Sequence, residues 1–370
     1  MRAKGLISRA TLKATLTSGL YRTGALGAVH SIGRYYEVAS NEQGRTRLRR
    51  ARKGRYLILG YHRIGTGGPP LYSMLPKSVF AAQMKFLRRH YRILSVKQMI
   101  KDMRDPDAAG QAVVVTFDDG YAGTLTEAFP VLKAYQIPAT VYLTGQAIET
   151  GELSWYDKIF LQVSRADTAL TLELEAPRSF VLHTDEARLR ASESIVTYLR
   201  TLSDDARQQW CARFEKLIPL STNDLRGAML SWNDVRMMSG AGITFGAHTM
   251  THPVVSRLSP DRLREEVAGS KKLIEERLLV PVDQFAFPFG KSRDCGTVAA
   301  ELLEETGFLS AMTTIVGMNR PGGDLYRLRR LVVDNDPSVA RFALNLHRMF
   351  FCPWDEEVQA NPDALTIGAL

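Results

Sequence analysis

Apolar residues along the chain fall into short unbroken runs separated by stretches where they recur every three or four positions. That rhythm is expected of buried parallel strands joined by crossover helices. Tyr56–His62 (YLILGYH) reads as the first strand, ending in a histidine. Ser78 caps a helix with Phe80, Met84 and Leu87 on one face, and Ile93–Ser95 leads into a second short helix. Val113–Tyr121 (VVVTFDDGY) begins as a β-branched run and delivers Asp118 and Asp119 to its carboxyl end, where Gly120 lets the chain turn. A helix from about Leu125 to Tyr135 and the strand Ala139–Thr144 follow. After Gly151 the rhythm changes. Leu170, Leu172 and Leu174 alternate with polar residues, Pro177-Arg178 can turn and Phe180–Leu182 can return, which predicts a hairpin. Ile195, Tyr198, Leu199 and Leu202, then Trp210, Phe214, Leu217 and Ile218, have helical spacing.

Regular alternation returns with a short helix from Trp232 and the strand Ile243–Thr249. Pro260 follows Ser259 at the favoured first position of a helix that turns Leu263, Val267 and Ile274 inward. Gln284–Gly290 is the next strand, Val298–Glu305 a helix ended by Gly307, and Leu309–Thr314 and Tyr326–Val333 the last strands. Seven strands in βα succession suit a closed barrel better than an open sheet and gather the strand ends on one face. The expected organisation is a basic segment and linker over 1–55, a barrel over 56–335, and a C-terminal helix and tail over 336–370. An insertion over about 152–228 would wall the site.

Composition changes this picture little: 45% hydrophobic and 24% charged residues describe a globular protein. Charge is uneven. Residues 1–58 hold 13 Lys or Arg against Glu37 and Glu42, a net of +11, which leaves −2 for the rest of a chain whose total is +9. The segment is a candidate for peripheral contact with anionic lipid, and Thr11–Ile32 fits an amphipathic helix on a membrane as well as one packed on the body. No aromatic platform or motif accompanies the charge, which excludes a nucleic-acid module. Cys211, Cys295 and Cys352 are widely separated and odd in number, against both a disulfide framework and a thiolate metal cluster. The longest early apolar run, Ala25–Val29, is too short for a signal-peptide core, and no 18-residue apolar run exists; these features favour a cytoplasmic or membrane-peripheral protein.

Two adjacent carboxylates at the mouth of an apolar strand call for a compensating charge, although a lone Asp-Asp-Gly also serves as a turn and helix cap. His248-Thr249-Met250-Thr251-His252 adds two imidazoles at and just beyond another strand end. Such a pair is a familiar zinc pattern on a helix, but Gly246 and the β-rich residues before it favour strand and loop. Two neutral imidazoles and one carboxylate make a three-ligand site with positions left for water and substrate.

TFDDGY (Thr116–Tyr121), HTMTH (His248–His252) and, more weakly, FAFPFG (Phe285–Gly290) resemble the polysaccharide deacetylases that share the NodB homology domain, carbohydrate esterase family 4. The resemblance covers roughly 56–335 and implies a deformed (β/α)7 barrel. It makes Asp119, His248 and His252 the ligands of one divalent metal, with zinc expected and cobalt or nickel as alternatives. Asp118 becomes the general base that deprotonates the attacking water, and the backbone N–H of Phe289 an oxyanion contact. GYHRI is similar to the N-terminal YHxI motif of the exopolysaccharide poly-N-acetylglucosamine deacetylases, which makes His62 the proton donor to the departing amine. The usual family order would place that donor near the C-terminus, where Leu346-His347 matches superficially.

The third motif departs from the family pattern. Many relatives carry Arg where Ala286 stands and Tyr where Phe289 stands, so the partner that orients Asp118 must come from elsewhere; Arg327, Arg329 and Arg330 are the candidates. Tyr121, Trp155, Tyr156, Trp232 and Pro288 are expected to line the sugar site, with Asp157 beside them, because pyranose faces stack on aromatic rings. The implied activity is removal of acetyl groups from an N-acetylhexosamine-containing glycan. Alternatives are an O-acetyl esterase with the same site, a non-catalytic glycan-binding or assembly module, and an unrelated barrel metallohydrolase, which would need the HTMTH segment to be helical.

Overall fold

The computed structural model describes residues 54–351 apart from 67–73 and the positions 106, 109, 226, 297, 298, 334 and 337. The expectations for the basic N-terminal segment, including the Thr11–Ile32 helix, and for the C-terminal tail with Cys352 lie outside the described residues.

Eight strands form one sheet: β1 (Arg55–Tyr61), β2 (Arg92–Leu94), β3 (Gln111–Phe117), β4 (Ala139–Leu143), β7 (Thr244–Ala247), β8 (Gln284–Ala286), β9 (Ser310–Met312) and β10 (Arg330–Val332). The hairpin strands β5 (Ala169–Glu173) and β6 (Pro177–Val181) stand apart. The main path runs β10-β1-β3-β4-β7-β8-β9, all parallel, and a single bridge from Met312 to Leu328 nearly closes it into a barrel. The seven strands on that path are the seven expected. β2 is the addition: Arg92–Leu94 pairs with the first half of β3 (112–114), and β4 pairs with the second half (115–117), so two strands share one edge and the barrel is deformed there.

The strands on this path are short and apolar because both faces are covered. Leu57, Leu59, Val113, Val115, Val141 and Phe285 pack outward against the helices, while Tyr56, Ile58, Val114, Tyr142, Ala286 and Met312 fill the interior. A Cβ on Gly246 would stand 2.6 Å from the Tyr142 ring, so glycine in β7 makes room for that ring. Two expected strands are shorter than their apolar runs suggest. β8 stops at Ala286, ahead of the Pro288–Gly290 turn, and β10 begins only at Arg330 because Leu325–Arg327 forms a 3-10 turn.

Between β4 and β7 the chain adds the helix Trp155–Arg165, the hairpin, and the helices Asp185–Leu199 and Asp204–Leu217, which share a core of Ile159, Val163, Leu182, Ile195, Trp210 and Phe214. The hairpin turn lies ahead of its expected place. Pro177 is the first residue of β6, opposite Glu173, and 174–176 make the turn; proline is tolerated where a strand starts at an edge. The helix Val339–Phe351 packs outside the barrel against Lys77–His90, through Phe342 on Phe86.

Candidate metal and catalytic site

The candidate residues stand where strands stop. β3 ends at Phe117, and the next amide, Asp118 N–H, donates to Tyr61 O (2.9 Å). Asp119 then takes a left-handed conformation (φ 71°), followed by Gly120 (φ 84°). The positive φ of Gly120 favours glycine, and an added Cβ would have to displace the tip of Ile148, 2.7 Å away. β7 stops at Ala247, and His248 N–H donates to Leu143 O (2.9 Å). The HTMTH segment leaves the strand as a loop, with Thr249 (φ 65°) and His252 (φ 58°) left-handed. It is not helical, which removes the unrelated-metallohydrolase alternative. Six described non-glycine residues have positive φ, and Asp119, Thr249, His252 and Phe289 are four of them. Each costs on the order of 1–2 kcal/mol, so the strain is concentrated at this site.

Asp119 and Asp118 separate by role of contact. Asp119 Oδ1 lies 3.4 Å from Nε2 of His248 and 3.4 Å from Nε2 of His252. All three residues are buried, their facing atoms lie within 4.8 Å of one another, and Asp119 Oδ1 has no hydrogen-bond partner among the described residues. A buried carboxylate oxygen facing two imidazoles without a hydrogen bond fits a metal site. The 3.4 Å separations also match the edge of a tetrahedron with ligand bonds of ~2.1 Å. His248 Nδ1 is 2.7 Å from Ala286 O, which assigns the proton to Nδ1 and turns the Nε2 lone pair inward. His252 is placed by packing, against Tyr156 (4.7 Å) and Phe289 (4.9 Å).

Burial pushes the Asp119 carboxyl up, but the two imidazoles outweigh it and hold it well below the usual range. Burial lowers His248, yet Asp119 and Asp118 raise it beyond its ordinary value; at His252 burial prevails and the imidazole is lowered.

Asp118 faces the other way. The guanidinium of Arg330, fully buried at the start of β10, donates to Oδ1 and Oδ2 at 2.7 Å each. Arg330 Nε donates to Thr313 O (2.7 Å), and its guanidinium lies 6.0 Å from the Tyr142 ring centre. Burial raises Asp118, and the attraction of Arg330, aided by His248 and His62, brings it below its ordinary value. His62 Nε2 lies 3.8 Å from Asp118 Oδ2 and lines a cavity of about 250 Å³ with Asp119, Tyr121, Tyr156 and Arg63.

The remaining candidates divide. The Tyr121 hydroxyl donates to Asp157 (3.0 Å) and meets the Tyr156 hydroxyl (2.8 Å). Trp155 Nε1 donates to His252 O (2.9 Å). Phe289 (φ 60°) packs on His252 and lies 4.2 Å below the Arg200 guanidinium, and its N–H finds no backbone acceptor among the described residues. Pro288 forms the turn ahead of it, its carbonyl accepting from Gly290. Trp232 stands away from the cavity: its indole donates to Glu149 (2.7 Å), beside Arg277. His347 sits on the outer helix and does not line the cavity.

The sequence model of the family described as Polysaccharide deacetylase matches residues 105–308, more than half of the chain. The chain belongs to the polysaccharide deacetylase family. YxkH of Bacillus subtilis (strain 168), whose name assigns it to the same family, is 23% identical over 294 residues, which are 79% of this chain and 76% of that protein. The deacetylase PplD of Streptococcus pyogenes, solved in complex with acetate, superposes with a TM-score of 0.55 at 18% identity, over 80% of this chain and 99% of that one. IcaB from Ammonifex degensii gives 0.51 at 21% identity, over 78% and 97%. The barrel is therefore the fold of a family of hydrolases that remove acetyl groups.

Two contacts of this deacetylase's site, from Arg200 and Glu266, lie outside the candidates drawn from the sequence, and a third, from Arg330, is one of three that the sequence leaves open. Nothing in the linear order singles Arg330 out. Arg200, over Phe289 and 2.7 Å from Asp294, comes from the insertion. Glu266 had a signal: it lies on the same stripe as Leu263, Val267 and Ile274, and a carboxylate on an apolar helix face needs a buried partner.

Proposed function

We propose that the protein removes N-acetyl groups from an N-acetylhexosamine-containing poly- or oligosaccharide, using one divalent cation held by Asp119, His248 and His252. The observation that carries this reading is the division of the carboxylates: Asp119 faces two imidazoles while Asp118, immediately before it in the chain, faces a fixed guanidinium. When bound, a cation there supplies a Lewis acid that acidifies water and polarises the acetyl carbonyl.

The protein's own groups do the rest. Asp118 takes the proton of the attacking water as its oxygen bonds to the acetyl carbon, and Arg330 keeps the carboxylate aimed. The Phe289 N–H donates to the carbonyl oxygen as charge builds on it. His62 gives a proton to the nitrogen as the C–N bond breaks, leaving acetate and a free amine. The 3.8 Å between His62 and Asp118, with His62 lining the cavity that Asp119 also lines, supports His62 as the donor. Tyr121, Tyr156 and Trp155 would contact the sugar.

The test is acetate and amine release from N-acetylated oligosaccharides with and without chelator. Purified protein is expected to hold about one zinc, cobalt or nickel ion, and Asp119→Asn or His248→Ala to lose both ion and activity. Metal content unchanged in those variants refutes the ligand set, and acetate released from O-acetylated polymers but not from N-acetylated oligosaccharides points to an O-acetyl esterase instead. His62→Ala is expected to lower turnover by about 10²–10⁴-fold while His347→Ala leaves it within twofold. The reverse ranking, read from initial rates, would overturn the choice of acid.

A further inference from the structure

The loop that carries the two imidazoles is strained at Thr249 and His252, and a conformation of that kind persists where its neighbours over-determine it. One buried carboxylate outside the metal set provides the hold. Glu266, with no exposed surface, projects from the helix Pro260–Leu278 behind the loop. Its Oε2 accepts the amide N–H of Met250 (2.7 Å) and of Thr251 (2.8 Å), and its Oε1 accepts the Thr251 hydroxyl (2.6 Å). Two successive N–H groups on one oxygen form an anion nest, here filled by the protein's own side chain.

The fourth donor is Arg262, 2.7 Å from Oε1, whose guanidinium also lies 3.5 Å from Asp204 on the insertion. Asp204 pairs with Arg207, which covers the Trp155 ring at 4.8 Å, and Trp155 Nε1 holds His252 O. The contacts thus close a circuit from the middle of the loop, through helix and insertion, to the loop's last residue. A buried carboxylate with four donors is fixed in place, because losing any one leaves a polar group unpaired in a dry interior.

We propose that Glu266 is a positioning residue for the metal pair: by fixing Met250 and Thr251 it holds His248 and His252 at the spacing that faces Asp119. Through Arg262 and Asp204 the insertion shares in that hold. The inference rests on reading Asp119, His248 and His252 as the metal site.

The experiment is a zinc titration of metal-free protein against a chromophoric chelator, with the visible spectrum of the cobalt form as a second readout. Glu266→Gln keeps the size and removes the charge; it is expected to weaken zinc binding by about 10–100-fold and to change the cobalt spectrum. Thr251→Val, which removes one of the three loop contacts, is expected to shift both in the same direction by a smaller factor. Ser270→Ala is the control: its hydroxyl donates to Val267 O on the same helix, so it lowers Tm and leaves zinc affinity unchanged. A folded Glu266→Gln protein with wild-type zinc affinity overturns the proposal, whatever its Tm. If that variant does not fold, Thr251→Val decides, with weakened binding in support and unchanged binding against. Absence of zinc binding by the unaltered protein is a separate outcome, which removes the metal reading and this inference with it.

Discussion

Asp118→Asn is expected to keep its metal and to lose turnover by about 10²–10⁴-fold, the usual contribution of a positioned base. Retention follows from the geometry, since the Asp118 oxygens are 2.7 Å from the Arg330 nitrogens while the three facing ligand atoms belong to Asp119, His248 and His252. Asparagine preserves the shape but presents N–H to a guanidinium that has only N–H to offer, so one buried donor loses its acceptor at a cost of about 1–3 kcal/mol. The variant should therefore melt earlier yet titrate with zinc as the parent does. Metal content by elemental analysis and initial rates of acetate release check the two halves separately. A near-normal rate with metal in place would remove Asp118 as the base.

The parts of this structure that could be read from the chain are those in which neighbouring positions carry the information. Val113–Phe117 and Tyr56–Tyr61 are visible because a parallel strand covered on both faces is an unbroken apolar run. TFDDGY and HTMTH each concentrate their chemistry within a few residues of a strand end. β2 escapes because Arg92–Leu94 has three residues, one of them exposed, and owes its strand form to the free half-edge of β3. Pro177 misleads because proline marks a turn in most contexts and here opens an edge strand. Trp232 carries the right chemistry for a sugar platform, but the pairing of its indole with Glu149 holds it elsewhere, a tertiary contact between residues 83 positions apart. The partner of Asp118 is the extreme case. It lies 212 positions away, and it meets the carboxylate because β1 pairs with β3 on one side and β10 on the other.

That distant pairing leads to the second large effect. Arg330→Met is expected to cost about 3–5 kcal/mol of stability at neutral pH, because it leaves a buried carboxylate without its counter-charge. The sign with pH follows. In the parent the Asp118 pKa is held below its ordinary value, a stabilisation present above the unfolded-state pKa and lost as pH falls through the lowered one. In the variant burial is opposed only by His248 and His62, so the folded-state pKa is expected to rise above the unfolded one, and the protein is penalised while the carboxyl must stay charged. The gap between parent and variant should thus be widest at pH 7–8 and narrow as pH falls toward 5, which urea unfolding at both values would show. With Asp118 as the proposed base, turnover should fall at least tenfold, since the carboxylate loses its aim as well as its charge partner. Ala286 supplies the complement. It lines the same interior as Tyr142, over whose ring Arg330 lies, and it is the position at which the resemblance drawn from the sequence implies an arginine. Adding Ala286→Arg to Arg330→Met moves the guanidinium from β10 to β8, and recovery of part of the stability and rate in the double variant is expected. If Arg330→Met keeps the parent's rate, and its stability deficit is the same at pH 5 as at pH 8, the pairing with Asp118 is ordinary packing and the orientation of the base has another cause.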